Sequence, residues 1–196
     1  MSATMFLRHL VKPLRNTNNF YISPSTSTAN KARLFSSTSA VMVKAGDTIP
    51  DVTLVEDSPG NIVELHKEIG TGNALIIGVP AAFSPSCSNS HVPGYINHPK
   101  LKDAGKVFVV SVNDPFVMKA WSESLDANKS SHIRFLADPS GAFTRALDTE
   151  FDSAKVFGQN RSKRYAITIE SGRVKDVYIE PDNTGVAVSA AEKVLG

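Results

Sequence analysis

One cysteine, Cys87, stands in the stretch Gly78-Val79-Pro80-Ala81-Ala82-Phe83-Ser84-Pro85-Ser86-Cys87 and has no other cysteine in the chain to pair with. A lone cysteine is by default a small buried hydrophobe; it becomes a nucleophile where its surroundings favour the thiolate. Such surroundings are written just upstream. Ser84 is a hydroxyl residue suited to an N-cap and Pro85 is suited to a first helical turn, so the spacing places Cys87 in the opening turn of a helix. Unpaired backbone N–H groups and the positive end of the helix dipole stabilise an anion there. Nucleophilic attack by sulfur is therefore the chemistry to expect. His91, four residues on, would face the same side of that helix. A zinc site would need ligands beyond this pair, so a local hydrogen-bonding role is expected for His91.

The elements that must position Cys87 follow from the apolar pattern. Ala74-Leu75-Ile76-Ile77-Gly78-Val79 has the length of a buried strand, and Pro80, which cannot donate to a ladder, ends it. Val107 to Val112 is a second such run, rich in β-branched residues. Asp114-Pro115 then caps and opens a helix to about Leu125, with Phe116, Ala120, Trp121 and Leu125 read as its core stripe. Trp121 is expected in the core first and as a wall of the site second.

Earlier, Val52 to Leu54 reads as a short edge strand with Pro50 at its margin, followed by the turn residues Ser58-Pro59-Gly60-Asn61, a strand start at Ile62 and a short helix at His66 to Ile69. Later, Arg134 to Ala137 is a strand and Ala142 to about Leu147 a helix. Arg164 to Ile169 and Val174 to Ile179 form a hairpin, and a helix from about Ser189 to Leu195 closes the chain. This order describes an α/β protein: a thioredoxin-like fold with a central mixed β-sheet flanked by helices and an N-terminal β extension.

The net charge of +2 is unevenly spread. Arg8, Lys12, Arg15, Lys31, Arg33 and Lys44 precede the first acid, Asp47; setting these six aside from 21 basic residues leaves 15 against 19 acidic ones, a net of −4. The basic residues are not clustered or interleaved with aromatics, so nucleic acid is not expected as a partner. No run approaches the roughly 18 apolar residues of a membrane span, so no membrane association is expected either.

Residues 1–42, rich in Ser, Thr and Asn and poor in acids, have the composition of a mitochondrial transit peptide. Arg33 followed by Phe35 to Met42 resembles a two-step processing site that would leave a mature start at Val43, with residues 43–196 as one domain and the mitochondrial matrix as destination. The terminal Val194-Leu195-Gly196 is not a peroxisomal address of the Ser-Lys-Leu kind.

The octet Pro80 to Cys87 resembles the Pro-x-x-x-Thr/Ser-x-x-Cys motif of peroxiredoxins. Ser88 to Tyr95, Ser111 to Phe116, Ala137 to Phe143 and Asn160 to Tyr165 are similar to stretches of the type 5, or type II, branch. The resemblance implies a thiol-dependent peroxidase that reduces hydrogen peroxide and organic hydroperoxides. Cys87 would be the peroxidatic nucleophile, Ser84 a hydroxyl donor to thiolate and peroxide, Arg164 a fixed cation with a fork of donors, and Pro80 a shield from water. Read alone, Arg164 at a strand start is a solvated or ion-paired side chain.

The resemblance also suggests a homodimer and no bound cofactor. Val188 occupies the position where mammalian-type relatives carry a resolving cysteine. The sulfenic acid on Cys87 would then be reduced by an external thiol, from glutathione with glutaredoxin or from thioredoxin. A peroxide sensor or redox relay, and a noncatalytic thioredoxin-fold binding module, are the competing readings.

Overall fold

The computed structural model describes residues 42–196. The predicted leader and its processing site lie outside the described residues except for Met42. The described chain runs β1 (Thr53–Glu56), β2 (Ile62–Glu64), α1 (Leu65–Ile69), β3 (Ala74–Val79), a helical segment through Cys87 ending in α2 (Val92–Ile96), β4 (Lys106–Ser111), α3 (Pro115–Leu125) and β5 (Arg134–Ala137). It continues with α4 (Ala142–Ala146), β6 (Glu150–Phe151), α5 (Ala154–Phe157), β7 (Arg161–Ser162), β8 (Tyr165–Glu170), β9 (Arg173–Ile179) and α6 (Ala191–Val194).

Seven strands form one mixed sheet in the order β2-β1-β5-β4-β3-β8-β9, while β6 and β7 pair separately. β3 lies at its heart, parallel to β4 and antiparallel to β8. All six β3 residues are buried, which accounts for an apolar run without alternation. Successive side chains on a strand point to opposite faces, so Ile76 joins Phe108, Leu136 and Tyr165 in one core. Leu75, Ile77 and Val79 join Val109, Met118, Trp121 and Cys87 in the other. The cysteine thus belongs to the core on a single face of the sheet.

Three expectations need correction. The strand expected at the edge, β1, lies between β2 and β5: the Ser58–Asn61 turn folds a hairpin whose second strand, β2, takes the edge. The helix α3 opens at Pro115 with Asp114 accepting from the N–H groups of Phe116 and Val117, as its sequence requires. Its buried face, however, is Pro115, Met118 and Trp121, while Phe116 is 63% exposed. Starting the helix at Pro115 fixes the phase and turns Phe116 about 100° away from that face. The closing helix is shorter than expected, because Ser189 is bound into the preceding loop.

Gly78 shows why the strand before the cysteine is not uniformly bulky. It pairs with Tyr165 across the sheet, and a Cβ there would fall 2.1 Å from the tyrosine ring. The missing side chain lets the ring of Tyr165, the neighbour of Arg164, lie against β3.

Candidate active site

The site is assembled at the end of β3 from three pieces of chain. Pro80 is buried directly after the strand. The loop that follows is pinned to the end of β4 by Asn113, whose Oδ1 accepts from Ala82 N at 3.1 Å and from Ser111 Oγ at 2.8 Å. Helical backbone begins at Pro85, and the Ser84 carbonyl accepts from Ser88 N at 2.9 Å, so Ser84 holds the cap position. Its hydroxyl turns backward and donates to the Ala81 carbonyl at 3.0 Å.

The turn Cys87–His91 is π-helical before the chain continues as α2. Both its ends, Cys87 and His91, are buried, and Asn89 and Ser90 between them are exposed. Trp121, fully buried and edge-on to Phe135, donates its indole N–H to Ser88 Oγ at 3.0 Å. It is a core residue and a wall of the site at once.

Arg164 enters from the start of the β8 hairpin. Only 2% of it is exposed, yet among the described residues no carboxylate lies within ion-pair distance. Its Nη1 donates to Cys87 Sγ at 3.3 Å and its Nε to the Thr184 carbonyl at 3.1 Å. Burying a guanidinium without a counter-ion is costly, and here the side chain it reaches is that of Cys87. The structure therefore brings Cys87 and Arg164 together. Among the described residues, Arg164 is the hydrogen-bond donor to Sγ; the Ser84 hydroxyl is occupied by Ala81.

Behind this pair lies a buried polar layer. Tyr95 donates its hydroxyl, and His91 its Nε2–H at 2.9 Å, to the carbonyl of Ser189. A carbonyl only accepts, which fixes the proton on Nε2 and leaves Nδ1 unpartnered among the described residues. Burial, aided by the positive charge of Arg164, pushes the imidazole down to about 4, so His91 is neutral near pH 7. Burial likewise pushes the Tyr95 phenol up, keeping it a donor. Glu180 accepts through one oxygen from Ala187 N at 2.7 Å, Ser189 N at 2.9 Å and Ser189 Oγ at 2.7 Å. Burial alone would raise its carboxyl, but these hydrogen bonds outweigh it and hold the group below the ordinary value.

Sequence reasoning gave no role to Asn113, Thr184, Glu180 or Ser189.

A buried, arginine-paired cysteine at the mouth of a helix on a thioredoxin-like sheet defines a thiol peroxidase. The Redoxin family model matches residues 44–195. A Schizosaccharomyces pombe protein, peroxisomal membrane associated protein 20, is 46% identical over 157 residues, 79% of this chain and 98% of its own length. The reduced Prx3 of Vibrio vulnificus, solved in complex with hydrogen peroxide, superposes with a TM-score of 0.71 at 38% identity, over 79% of this chain and 98% of that one. Peroxiredoxin 5 of Alvinella pompejana gives 0.65 at 42%, over 72% and 92%. The chain belongs to the redoxin family, and within it to the peroxiredoxins of the type 5, or type II, branch.

Proposed function

We propose that this thiol peroxidase works through Cys87 alone and is recycled by a thiol from outside the chain. The observation that carries the proposal is the contact between the chain's sole cysteine and a buried, otherwise uncompensated guanidinium at 3.3 Å. In the first half-reaction the Cys87 thiolate attacks the terminal oxygen of a hydroperoxide. The S–O bond forms as the O–O bond breaks, the departing alkoxide or hydroxide takes a proton, and sulfur is oxidised by two electrons to a sulfenic acid.

Arg164 attracts the thiolate in the ground state and offers its second nitrogen edge to the charge moving onto the departing oxygen. Pro80 closes the end of β3 against water. Ser84 is three residues from the sulfur, and its hydroxyl would have to leave Ala81 to serve the peroxide. In the second half-reaction an external thiol attacks the sulfenic sulfur, releasing water and leaving a mixed disulfide that a second thiol resolves.

Hydrogen peroxide and small alkyl hydroperoxides are the substrates this reading assigns, and the Vibrio protein's complex with hydrogen peroxide supports it by likeness. Glutathione with glutaredoxin, or thioredoxin, is the reductant, since Val188 stands where a resolving cysteine would be. The basic, acid-poor leader supports mitochondrial import of residues 43–196, and the exposed Phe83 and Phe116 near the site suit a homodimer contact.

The test is rapid mixing of the reduced full chain with hydrogen peroxide, followed by Trp121 fluorescence and intact mass. Addition of one oxygen, absent in Cys87→Ser, is expected, as is steady turnover with glutathione and glutaredoxin or with thioredoxin. Oxidation no faster than that of a free thiol would sink the assignment. Oxidation without turnover by either reductant, with stable mixed disulfides to a partner, would favour a relay.

A further inference from the structure

The 3.3 Å contact joins side chains carried on two separate elements, the Cys87 turn and the start of the β8 hairpin, and a polar bridge spans them. Its centre is Glu180, a carboxylate only 2% exposed. On one side the backbone of Glu180 donates to the Arg164 carbonyl at 2.9 Å, and the turn it begins returns two acceptors to the same arginine: the Asn183 carbonyl to Arg164 N at 2.7 Å and the Thr184 carbonyl to Nε. On the other side its carboxylate gathers Ala187 and Ser189, and the Ser189 carbonyl then receives His91 and Tyr95 from the Cys87 helix. A single residue thereby fixes the loop 180–189 against both partners of the reacting pair.

We propose that Glu180 is a positioning residue for the peroxidase reaction: through the 180–189 loop it sets the placement of the Arg164 guanidinium relative to Cys87 Sγ. Three converging donors on one carboxylate oxygen hold the loop closed, and a buried cap of this kind has no water to replace it when it is removed. Without it, the 187–189 end of the loop is released while Asp182, which accepts from Thr184 N at 3.2 Å and Gly185 N at 2.7 Å, still holds the nearer end, so the Thr184 carbonyl shifts and the guanidinium keeps its charge but loses part of its aim. The inference rests on the role proposed above for Arg164.

A double-mutant cycle on the full chain separates the two. Oxidation of Cys87 by hydrogen peroxide is measured by rapid mixing for Glu180→Ala, Arg164→Ala and the pair. Glu180→Ala is expected to slow oxidation about tenfold, in line with the cost of a small misplacement. In the Arg164→Ala background it is expected to cost less than a factor of two more, because there is no guanidinium left to aim. Ser189→Ala, a milder cut of the same bridge, should show the same non-additivity and serves if Glu180→Ala fails to fold. Losses that multiply in full, or a Glu180→Ala rate equal to the parent's, overturn the inference while leaving Arg164's role intact. An unchanged rate in Arg164→Ala alone overturns that role instead.

Discussion

Two arginines, one on β5 and one at the start of β8 with two strands between them, have opposite surroundings. Arg134, on β5, is met by Glu56 at 2.7 Å and Glu68 at 2.8 Å, and lies over the ring of Phe108. Hydrogen bonding to Glu56, then to Glu68, pushes it above its ordinary value despite partial burial. Arg164, at the start of the β8 hairpin, is more deeply buried, and its guanidinium meets one backbone carbonyl and a sulfur, with no carboxylate within ion-pair distance among the described residues. The first charge is spent on holding α1, β1 and β5 together. The second faces the Cys87 sulfur, which on the function proposed above is the atom whose charge changes during the reaction. Burial alone does not separate the two roles; what each cation is paired with does.

The comparison is broken most sharply by removing each arginine in turn. Arg164→Ala should slow oxidation of Cys87 by about 10²- to 10³-fold, the usual cost of losing one preorganised donor, while Arg134→Ala leaves the rate unchanged. Stopped-flow oxidation of both variants checks this, and equal losses would show that the two environments are not functionally distinct.

Acid should expose the polar layer behind Arg164 next. His91 is held near 4 in the fold against about 6.5 in the unfolded chain, so the unfolded state binds more protons between those values. Its contribution is fully present above about pH 6.5 and is lost as pH falls toward 4, by about 3 kcal/mol. Glu180, held below its ordinary value, adds a loss that begins lower, as pH falls through the carboxylate range. Denaturant midpoints from pH 7 to 4 should fall accordingly, and His91→Gln should flatten the upper part. An unchanged slope in that variant would place the acid sensitivity elsewhere.

Gly78→Ala sharpens the geometric side of the comparison. The new methyl would meet the Tyr165 ring at 2.1 Å, so a destabilisation of about 2 kcal/mol is expected, as for overpacking, with Arg164 displaced along with its neighbour. Thermal melts and oxidation rates should both fall, and a loss of stability alone would uncouple Tyr165 from the site. The smallest effect is expected for Arg134→Ala on stability, about 1 kcal/mol, since its side chain is 33% exposed and the pair is screened by solvent. High salt should narrow the difference in denaturant midpoint.

How much of this was legible in the sequence divides along the same line. β3, the capped helix at Asp114-Pro115 and the β8–β9 hairpin are local statements, made by apolar runs, a proline and turn residues, and they stand within a residue or two of the observed bounds. Cys87 was legible because one helix start and one thiol coincide. The buried pairing of Arg164 was not legible from its own residues, since a strand-start arginine is ordinarily solvated; the motif resemblance singled it out. On α3 the start was legible but the face turned to the sheet only in part: of the expected stripe Trp121 and Leu125 pack inward, whereas Phe116 and Ala120 are exposed. The Glu180 bridge left no trace because its contacts join residues 7 to 98 apart, mostly through carbonyls and amides, which every residue carries.

The π-helical turn has a consequence for what the chain can tolerate. Its two ends are anchored, Cys87 by the guanidinium and His91 by the Ser189 carbonyl, while Asn89 and Ser90 face solvent. Replacing either exposed residue leaves both anchors where they are. Deleting one changes little more, because a π turn that loses a residue can close with an α-type bond and hand the chain on at nearly the same phase, with Cys87 and His91 still on one side. At these two positions the spelling is free and one letter can be spared.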